Sequence, residues 1–136
     1  MISTKGRYAL RVMIDLAQNN KENYIPLEEI ATRQGISKKY LEIIIKALVK
    51  NNLLEGMRGK GGGYKLTRDP SQYSVGEIIE LTEGTLAVVS CLQDTAKPCA
   101  RREQCVTYPM WEKFDNLVHN FFYGITLDSL IEEAPH

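Results

Sequence analysis

The sequence has little of the chemistry that most enzymes need. Its 136 residues include two histidines, His119 and His136, and no nucleophile is paired with a general base in any recognisable pattern. A Gly-x-x-x-x-Gly-Lys-Ser/Thr nucleotide fingerprint is also missing. These shortages argue against a hydrolase or a redox enzyme, and we expect a protein that is not an enzyme.

Long apolar runs are missing too. No stretch approaches the roughly 20 residues that span a bilayer, and the N-terminus lacks the apolar core of a signal peptide. Apolar content of 43% and charged content of 25% are ordinary for a globular chain of one domain, or of one domain with an appendage. We therefore expect a cytoplasmic protein with no membrane partner.

A net charge of zero hides an uneven distribution. Residues 1–70 hold 13 Lys and Arg against 7 Asp and Glu, a balance of +6, whereas residues 71–136 hold 4 against 10, a balance of −6. Binding to DNA phosphates needs local cations and not a basic whole chain. The asymmetry predicts that the first half meets double-stranded DNA and that the second half has another task.

The strongest pattern lies between residues 26 and 66. Apolar residues at helical spacing end at Gly35, which supplies the positive φ of a tight helix-to-helix corner, and Ser37 is a good N-cap for a second helix to about Asn51. Such a helix-turn-helix places the start of its second helix in the major groove. An ordinary helical hairpin with solvated lysines fits the same spacing. The candidate DNA-binding residues are Ser37, Lys38, Lys39, Tyr40 and Glu42.

A glycine-rich hairpin follows the second helix. Residues 53–57 alternate like a strand, residues 58–63 turn with four glycines among five positions, and residues 64–66 return. The tip carries Arg58 and Lys60, which suits contact with a sugar-phosphate backbone or a narrow minor groove. A nucleotide phosphate loop fits less well, because no helix follows to hold the phosphates. The hairpin therefore predicts a wing.

The three cysteines Cys91, Cys99 and Cys105 fall within 15 residues. An odd count in a reducing compartment argues against a disulfide framework. Three thiolates on one loop suit a structural zinc or an iron–sulfur cluster, although the paired Cys-x-x-Cys signature of zinc and a nearby fourth ligand are both missing. Three unligated thiols, one of them redox-sensitive, are the remaining interpretation.

An aromatic-rich helix is predicted over residues 107–123. It either folds back on its own core or pairs with a second copy, and because a winged-helix reader of symmetric DNA usually needs a dimer, pairing is favoured. His119 is expected on its solvated side and not as a metal ligand. Its apolar stripe consists of Trp111, Phe114, Leu117, Val118, Phe121 and Phe122.

Three further helices complete the expected fold. Ser3 and Thr4 can cap a helix over about 5–19, Ser74 can form a capping box with Glu77 on a short helix, and Thr126 can cap a last one. The predicted fold is mainly α, a winged helix-turn-helix with a two-stranded wing and a long C-terminal dimerisation helix. Its expected parts are a DNA-binding domain over 1–82, a cysteine loop over 83–106, and the dimerisation and C-terminal helices over 107–136.

Several motifs together resemble a known family. They are residues 1–11, Ile36–Glu42, Arg58–Tyr64, Ser74–Ile79, the three cysteines and Ile125–Leu130. The chain resembles the IscR family of bacterial winged-helix transcription regulators, which are related to the nitric-oxide sensor NsrR and the cysteine-metabolism repressor CymR. The resemblance implies a homodimer that crosses through the long C-terminal helix, with promoter choice set by the occupancy of an iron–sulfur cluster.

The resemblance also implies residue roles. Cys91, Cys99 and Cys105 would be cluster ligands, Glu42 the recognition-helix acid that discriminates between sites, and Arg58 the wing cation in the minor groove. A 2Fe–2S cluster is favoured over 4Fe–4S, and air-purified protein can lack it.

Two departures leave the fourth ligand open. Seven residues separate Cys91 from Cys99, more than in the best-known members, and the family's histidine three residues past the last cysteine is Tyr108 here. The candidates are Tyr108, Asp94, Glu103, a residue from the other subunit, or a small thiol.

The sequence thus predicts a sequence-specific transcription regulator, expected to be a repressor, whose DNA binding is modulated by an iron–sulfur cluster. The alternative is a winged-helix regulator without a cluster that senses thiol oxidation, zinc or a partner protein. A protein-interaction module that uses the helix-turn-helix as a scaffold is the third hypothesis. Steep loss of duplex binding with salt would speak against this last one.

Overall fold

The computed structural model describes residues 2–19, 23–87 and 106–133. Within these ranges the chain forms six α-helices and one two-stranded antiparallel sheet, which confirms the predicted mainly α fold. The elements are α1 (Thr4–Asn19), α2 (Leu27–Gln34), α3 (Lys38–Lys50), β1 (Leu54–Met57), β2 (Gly63–Leu66), α4 (Val75–Glu83), α5 (Tyr108–Tyr123) and α6 (Leu127–Glu132), with a 3-10 turn at Pro70–Gln72.

Helix α1 lies at the centre of the main core. Apolar side chains at helical spacing form one fully buried face of α1, which packs against α2, α3 and α4. The turn from α2 to α3 contains Gly35 at φ 64°, as the sequence predicts. The buried face of α1 consists of Ala9, Val12, Met13, Leu16 and Ala17.

Helix α3 begins and ends as its sequence signals predict. The Ser37 hydroxyl accepts a hydrogen bond from the Tyr40 backbone N–H at 3.2 Å, which satisfies one of the amide groups left open at a helix start. The last helical residue is Lys50, and Asn52 then turns the chain at φ 63° into the wing. Its core face buries Leu41, Ile44, Ile45 and Leu48.

The wing is tied to the helix-turn-helix by a third extended segment. Strands β1 and β2 pair in register from Leu54 with Leu66 to Met57 with Gly63. Ile25, just before α2, exchanges two backbone hydrogen bonds with Tyr64, each 2.8 Å long. Because β2 is bonded on both sides, the orientation of the wing is set by the same segment that starts α2.

Helices α4 and α6 pack on α1, and α5 packs on α4. Ser74 caps α4 as predicted, since its hydroxyl accepts from the Glu77 N–H at 3.0 Å. The predicted capping box is not formed: the Glu77 carboxylate instead makes two hydrogen bonds, of 2.9 and 3.0 Å, with the guanidinium of Arg68. The long-range ion pair therefore takes the place of the local contact. The reciprocal capping box lies at α6, between Thr126 and Ser129.

Helix α5 is attached to the body at its C-terminal end and is largely exposed. None of its residues is buried, and Leu117 and Phe121 expose 67% and 63% of their surface. Phe122 packs against the small cluster formed by Val75, Ile79 and Leu86. Among the helices described, none has the length and the apolar character that crossing a bilayer requires.

Candidate nucleic-acid interface

An open groove separates the recognition helix from the wing. It has a volume of about 670 Å³ and lies between the first turns of α2 and α3 on one side and the wing turn on the other. Lys38 and Arg58, which are 20 residues apart in the sequence, both line it. The fold thus brings one predicted residue of the recognition helix and one of the wing turn to a single groove. The other predicted residues do not line it: Ser37, Lys39, Tyr40, Glu42 and Lys60.

The predicted recognition residues differ in how freely they reach solvent. Ser37, Lys38, Lys39 and Glu42 are exposed at the start of α3, where a helix in a major groove presents its side chains to base edges. Tyr40 is half-buried, because its ring packs edge-on against Tyr8 with 5.9 Å between the ring centroids. Tyr40 therefore also serves to join α3 to α1.

Lys38 has a partner within the protein. Its Nζ lies 2.9 Å from Oε1 of Glu28, in the first turn of α2. The hydrogen bond and the charge of Glu28 raise the pKa of Lys38, and the same hydrogen bond lowers the pKa of Glu28. The Coulomb attraction of Glu42 also raises the pKa of Lys38. The Glu28 contact is thus the main cause of the shift, and the charge of Glu42 adds to it.

The wing turn needs its glycines for different reasons. Gly59 and Gly61 have φ of 91° and 76°, a region that side chains disfavour. A Cβ on Gly62 would meet the Met57 carbonyl oxygen at 2.2 Å, and one on Gly63 would meet the Ile25 carbonyl oxygen at the same distance. A side chain at any of these four positions would therefore strain the turn or clash with backbone. Arg58 and Lys60 project from it and are exposed.

Tyr73 holds the base of the wing. Its side chain is fully buried, and its hydroxyl donates to the Leu53 carbonyl at 2.8 Å while accepting from the N–H groups of Thr67 and Arg68 at 2.9 and 3.1 Å. The phenol thus joins the chain before β1 to the chain after β2. The Arg68 guanidinium lies 4.9 Å above the same ring, which adds a cation–π contact.

A buried acid orients α2 against α1. The Asp15 carboxylate, 1% exposed, accepts hydrogen bonds from Arg33 at 2.8 and 3.0 Å and from the Gln34 amide at 2.8 Å. Bonding to Asp15 raises the pKa of Arg33. The side-chain and backbone carbonyl oxygens of Gln34 also accept hydrogen bonds from the guanidinium of Arg11. The network fixes the end of α2 immediately before the turn that aims α3.

The predicted cluster ligands Cys91, Cys99 and Cys105 lie outside the described residues, as do Asp94 and Glu103. Three thiolates are suitable donors for iron, and such clusters usually take four protein ligands. The remaining candidate in the chain, Tyr108, is half-buried as the first residue of α5. Among residues 2–19, 23–87 and 106–133 no group of three or more His, Cys, Asp or Glu could hold a metal ion.

Three residues that support the interface through partners within the protein were not predicted from the sequence. Glu28, Asp15 and Tyr73 each act through a partner that is distant in the chain. Only Asp15 left a signal, since a lone carboxylate next to buried apolar positions on α1 needs a partner. Glu28 and Tyr73 left none, because surface acids and core tyrosines are common.

Together, the recognition helix, the tight wing and the groove between them define a winged helix-turn-helix protein of the DNA-binding regulator class. Comparison with known proteins agrees. The chain belongs to the Rrf2 family, whose sequence model, described as an iron-dependent transcriptional regulator, matches residues 2–133.

Individual relatives resemble the chain over nearly its whole length. It is 36% identical over 130 residues to the HTH-type transcriptional regulator IscR of Cronobacter sakazakii, covering 96% of this chain and 79% of the relative. Among solved structures, IscR of T. potens superposes with a TM-score of 0.77 at 36% identity, over 99% of this chain and 88% of that one. CymR, the global cysteine regulator of B. subtilis, gives 0.79 at 32% identity, over 99% and 98%.

These findings confirm the resemblance to IscR and CymR that the motifs indicated. The protein is an Rrf2-family helix-turn-helix transcriptional regulator, and its relatives are regulators and not enzymes.

Proposed function

We propose that this regulator reads a specific operator as a homodimer, represses transcription there, and changes its DNA binding with an iron–sulfur cluster on Cys91, Cys99 and Cys105. One observation carries the DNA-binding part of the proposal. A single groove is lined by Lys38 from the recognition helix and Arg58 from the wing, with Lys39 and Lys60 exposed nearby in the chain.

The groove suits a duplex for geometric and electrostatic reasons. With α3 in the major groove, Lys38, Lys39 and Glu42 meet base edges together with Ser37. Lysine and glutamate can discriminate guanine and cytosine there. The wing then reaches the neighbouring minor groove, where Arg58 meets an enhanced negative potential. The glycines allow the tight turn at whose start Arg58 is exposed to meet the duplex.

The exposed face of α5 supports a homodimer. Leu117, Val118, Phe121 and Phe122 line an open apolar depression of about 570 Å³ together with Ile2. Such a contiguous apolar surface on a water-soluble chain favours burial against another protein, and a second copy brings the same surface. A dimer also supplies the second recognition helix that a two-fold symmetric operator requires.

The cysteines and the family description support the metal. Three thiolates can hold iron, and the bound cluster would supply a redox- and oxygen-sensitive group at that position. In the chain, residues 84–107, which include the three cysteines, connect the end of α4 to the start of α5. Metal binding that orders this connection would bias how α5 pairs, and thereby the spacing of the two recognition helices.

The test is anaerobic isolation followed by parallel assays of metal and DNA. We expect iron and acid-labile sulfide in wild-type protein, and loss of both in the Cys91→Ala, Cys99→Ala and Cys105→Ala variants. Operators selected from genomic fragments should bind metal-loaded and stripped protein with different affinities. Tyr108→Phe tests the fourth ligand in the same assay, since an altered cluster spectrum is expected only if the phenol oxygen binds iron.

The opposite result would also decide whether a cluster takes part. Colourless, iron-free protein whose operator affinity is the same with and without the three cysteines would remove the cluster and leave the DNA-binding part intact. The similarity to the cysteine regulator CymR favours one alternative in that event, a regulator without a cluster that senses thiol oxidation, zinc or a partner protein. Sensitivity to peroxide without sensitivity to chelators would identify thiol oxidation.

A further inference from the structure

The ion pair between Glu28 and Lys38 stands at the mouth of the groove. It joins the first turn of α2 to the first turn of α3, with Nζ and Oε1 2.9 Å apart. The two side chains expose 76% and 54% of their surface, and ion pairs this exposed contribute little to fold stability. We therefore expect this ion pair to affect DNA binding and to have little effect on folding stability.

Both members of the pair are charged near neutral pH. The partner lowers the pKa of Glu28 below its ordinary 4.5 and raises that of Lys38 above its ordinary 10.5. Near neutral pH a carboxylate thus accompanies the ammonium group at the groove. A phosphate that approaches Lys38 must either displace Glu28 or accept the repulsion of its charge.

A base edge makes a different demand on the same lysine. An ammonium group has three N–H donors, and Glu28 accepts one of them. The other two remain able to donate to acceptors such as guanine O6 and N7, the commonest major-groove contact of lysine and arginine. Base contact is therefore compatible with the ion pair, whereas full neutralisation of a phosphate by Lys38 competes with it.

We propose that Glu28 is a specificity-determining residue. By holding the Lys38 ammonium group at the groove mouth, it withholds this cation from phosphates of unrelated DNA and leaves it for base edges of the operator. Discrimination then comes from a contact within the protein that weakens non-specific binding. The inference rests on the proposed function, because it requires α3 to face the duplex.

The decisive variant is Glu28→Gln, assayed by fluorescence anisotropy on a random-sequence duplex and on the selected operator. Freeing one lysine for one phosphate steepens the slope of log K against log salt by about 0.9 on random DNA. Near physiological salt this corresponds to about fivefold tighter non-specific binding. Operator affinity should rise less or fall, so the ratio of specific to non-specific affinity decreases.

Glu29→Gln is the matched control. It removes the same charge from the neighbouring position on α2, but its partner is Arg33 at 3.4 Å, and the pair between Glu28 and Lys38 is left in place. We expect a specificity ratio and a salt slope close to those of wild type. The double variant Glu28→Gln/Lys38→Gln should lose the non-specific gain of Glu28→Gln, because the freed cation is gone.

The outcomes separate this inference from the proposed function. Wild-type protein that binds no duplex, in metal-loaded or stripped form, would overturn the proposed DNA-binding function and the inference with it. If wild type binds its operator but Glu28→Gln keeps the wild-type slope and ratio, only the inference fails. It also fails if Glu29→Gln acts as strongly as Glu28→Gln, or if the gain survives loss of Lys38.

Discussion

At the scale of single residues, burial separates two kinds of ion pair in the helix-turn-helix. Asp15 is inside the protein and satisfied by three donors, two of them on Arg33. Glu28 and Lys38 are outside and hold each other by one hydrogen bond. Removing one partner of a buried ion pair leaves the other charge without solvation. When the pair is exposed, water solvates the remaining charge. The first pair therefore supports the fold, and the second remains available to DNA.

The replacement Asp15→Asn should destabilise the protein by about 2–3 kcal/mol. A fully buried ion pair that loses one partner costs about 3–5 kcal/mol, but the Arg33 side chain is 34% exposed, so water recovers part of the loss. Urea denaturation of the two proteins measures the difference. Operator binding should weaken at temperatures where the variant is still folded, because the end of α2 loses its anchor.

The neighbouring variant Glu29→Gln supplies the reference for that measurement. It removes an exposed partner of Arg33 and leaves the Asp15 bonds intact, so its unfolding curve should lie close to that of wild type. Equal stability of Asp15→Asn and wild type would show that the buried network does not stabilise the fold.

At the scale of elements, α5 is held at one end by a close contact with α4. A Cβ on Gly76 would lie 2.5 Å from Cδ2 of Tyr123, so the phenol ring rests directly on the α4 backbone. The Tyr123 hydroxyl donates to the carboxylate of Glu80. The His119 ring stacks on Tyr123, with 6.4 Å between centroids. His119 is half-buried there, with its Nδ1 bonded at 2.9 Å to the Asp115 carbonyl, and is less solvated than the sequence suggested.

The contact between Tyr123 and Glu80 predicts that the stability of the protein depends on pH in the range where Tyr123 ionises. Partial burial and then the hydrogen bond to Glu80 raise the pKa of Tyr123 from 10.0 to about 12. Because the folded pKa is raised, the stabilisation is complete below pH 10 and is lost as pH rises from about 10 to about 12. The difference in unfolding free energy between wild type and Tyr123→Phe should therefore shrink across that window.

Denaturant titrations from pH 9 upward on both proteins test this expectation. Using the difference cancels the ionisation of the other tyrosines and the lysines, which both proteins share. Parallel stability profiles would mean that Tyr123 ionises as easily in the folded as in the unfolded protein.

At the scale of the whole molecule, the two charge balances of the sequence correspond to two surfaces with different tasks. The basic half forms the groove, and the acidic half contains α5 with its exposed apolar stripe. The proposed duplex contact and the proposed dimer contact thus use different parts of the chain.

The substitution Leu117→Glu should convert a dimer to a monomer without unfolding it. Leu117 is 67% exposed and is not part of the core, so the isolated fold does not need it, whereas a charge in a buried dimer contact is strongly unfavourable. Sedimentation velocity should show the change in mass, and circular dichroism an unchanged helix content. Operator affinity should fall steeply, because one recognition helix per molecule remains.

Asn116→Glu is the matched control for this substitution. It adds the same charge at the adjacent exposed position, which helical geometry places on the face opposite the apolar stripe. We expect it to remain dimeric and to bind the operator. A Leu117→Glu protein that is still a dimer would show that pairing uses another surface.

Local signals were sufficient to predict the elements from sequence. Gly35 has the positive φ that the corner needed, Ser37 caps α3, and Thr126 begins α6. Each of these local features depends on residues only a few positions apart in the chain. The sequence alone is therefore enough to predict it. The exception is Glu77, where a local capping partner was expected and the more distant Arg68 is bound instead.

The sequence predicted which residues belong to the candidate site, but not which residues they bind within the protein. The sequence identified Lys38 and Arg58 as candidate DNA-binding residues, and the fold places them on one groove. It did not indicate that Lys38 is paired with Glu28, or that Tyr73 fastens the base of the wing. The assignment of the cluster ligands still rests on sequence and family, since the three cysteines lie outside the described residues.

The sequence by itself determined which segments are helices, where the wing turns, and which half of the chain is basic, because helical periodicity, glycine conformation and charge are properties of neighbouring residues. Only the tertiary structure decided which charges are paired, which side of α5 is left uncovered, and which distant residues hold the wing. These depend on the directions in which side chains from separate elements meet, and a one-dimensional pattern does not contain those directions.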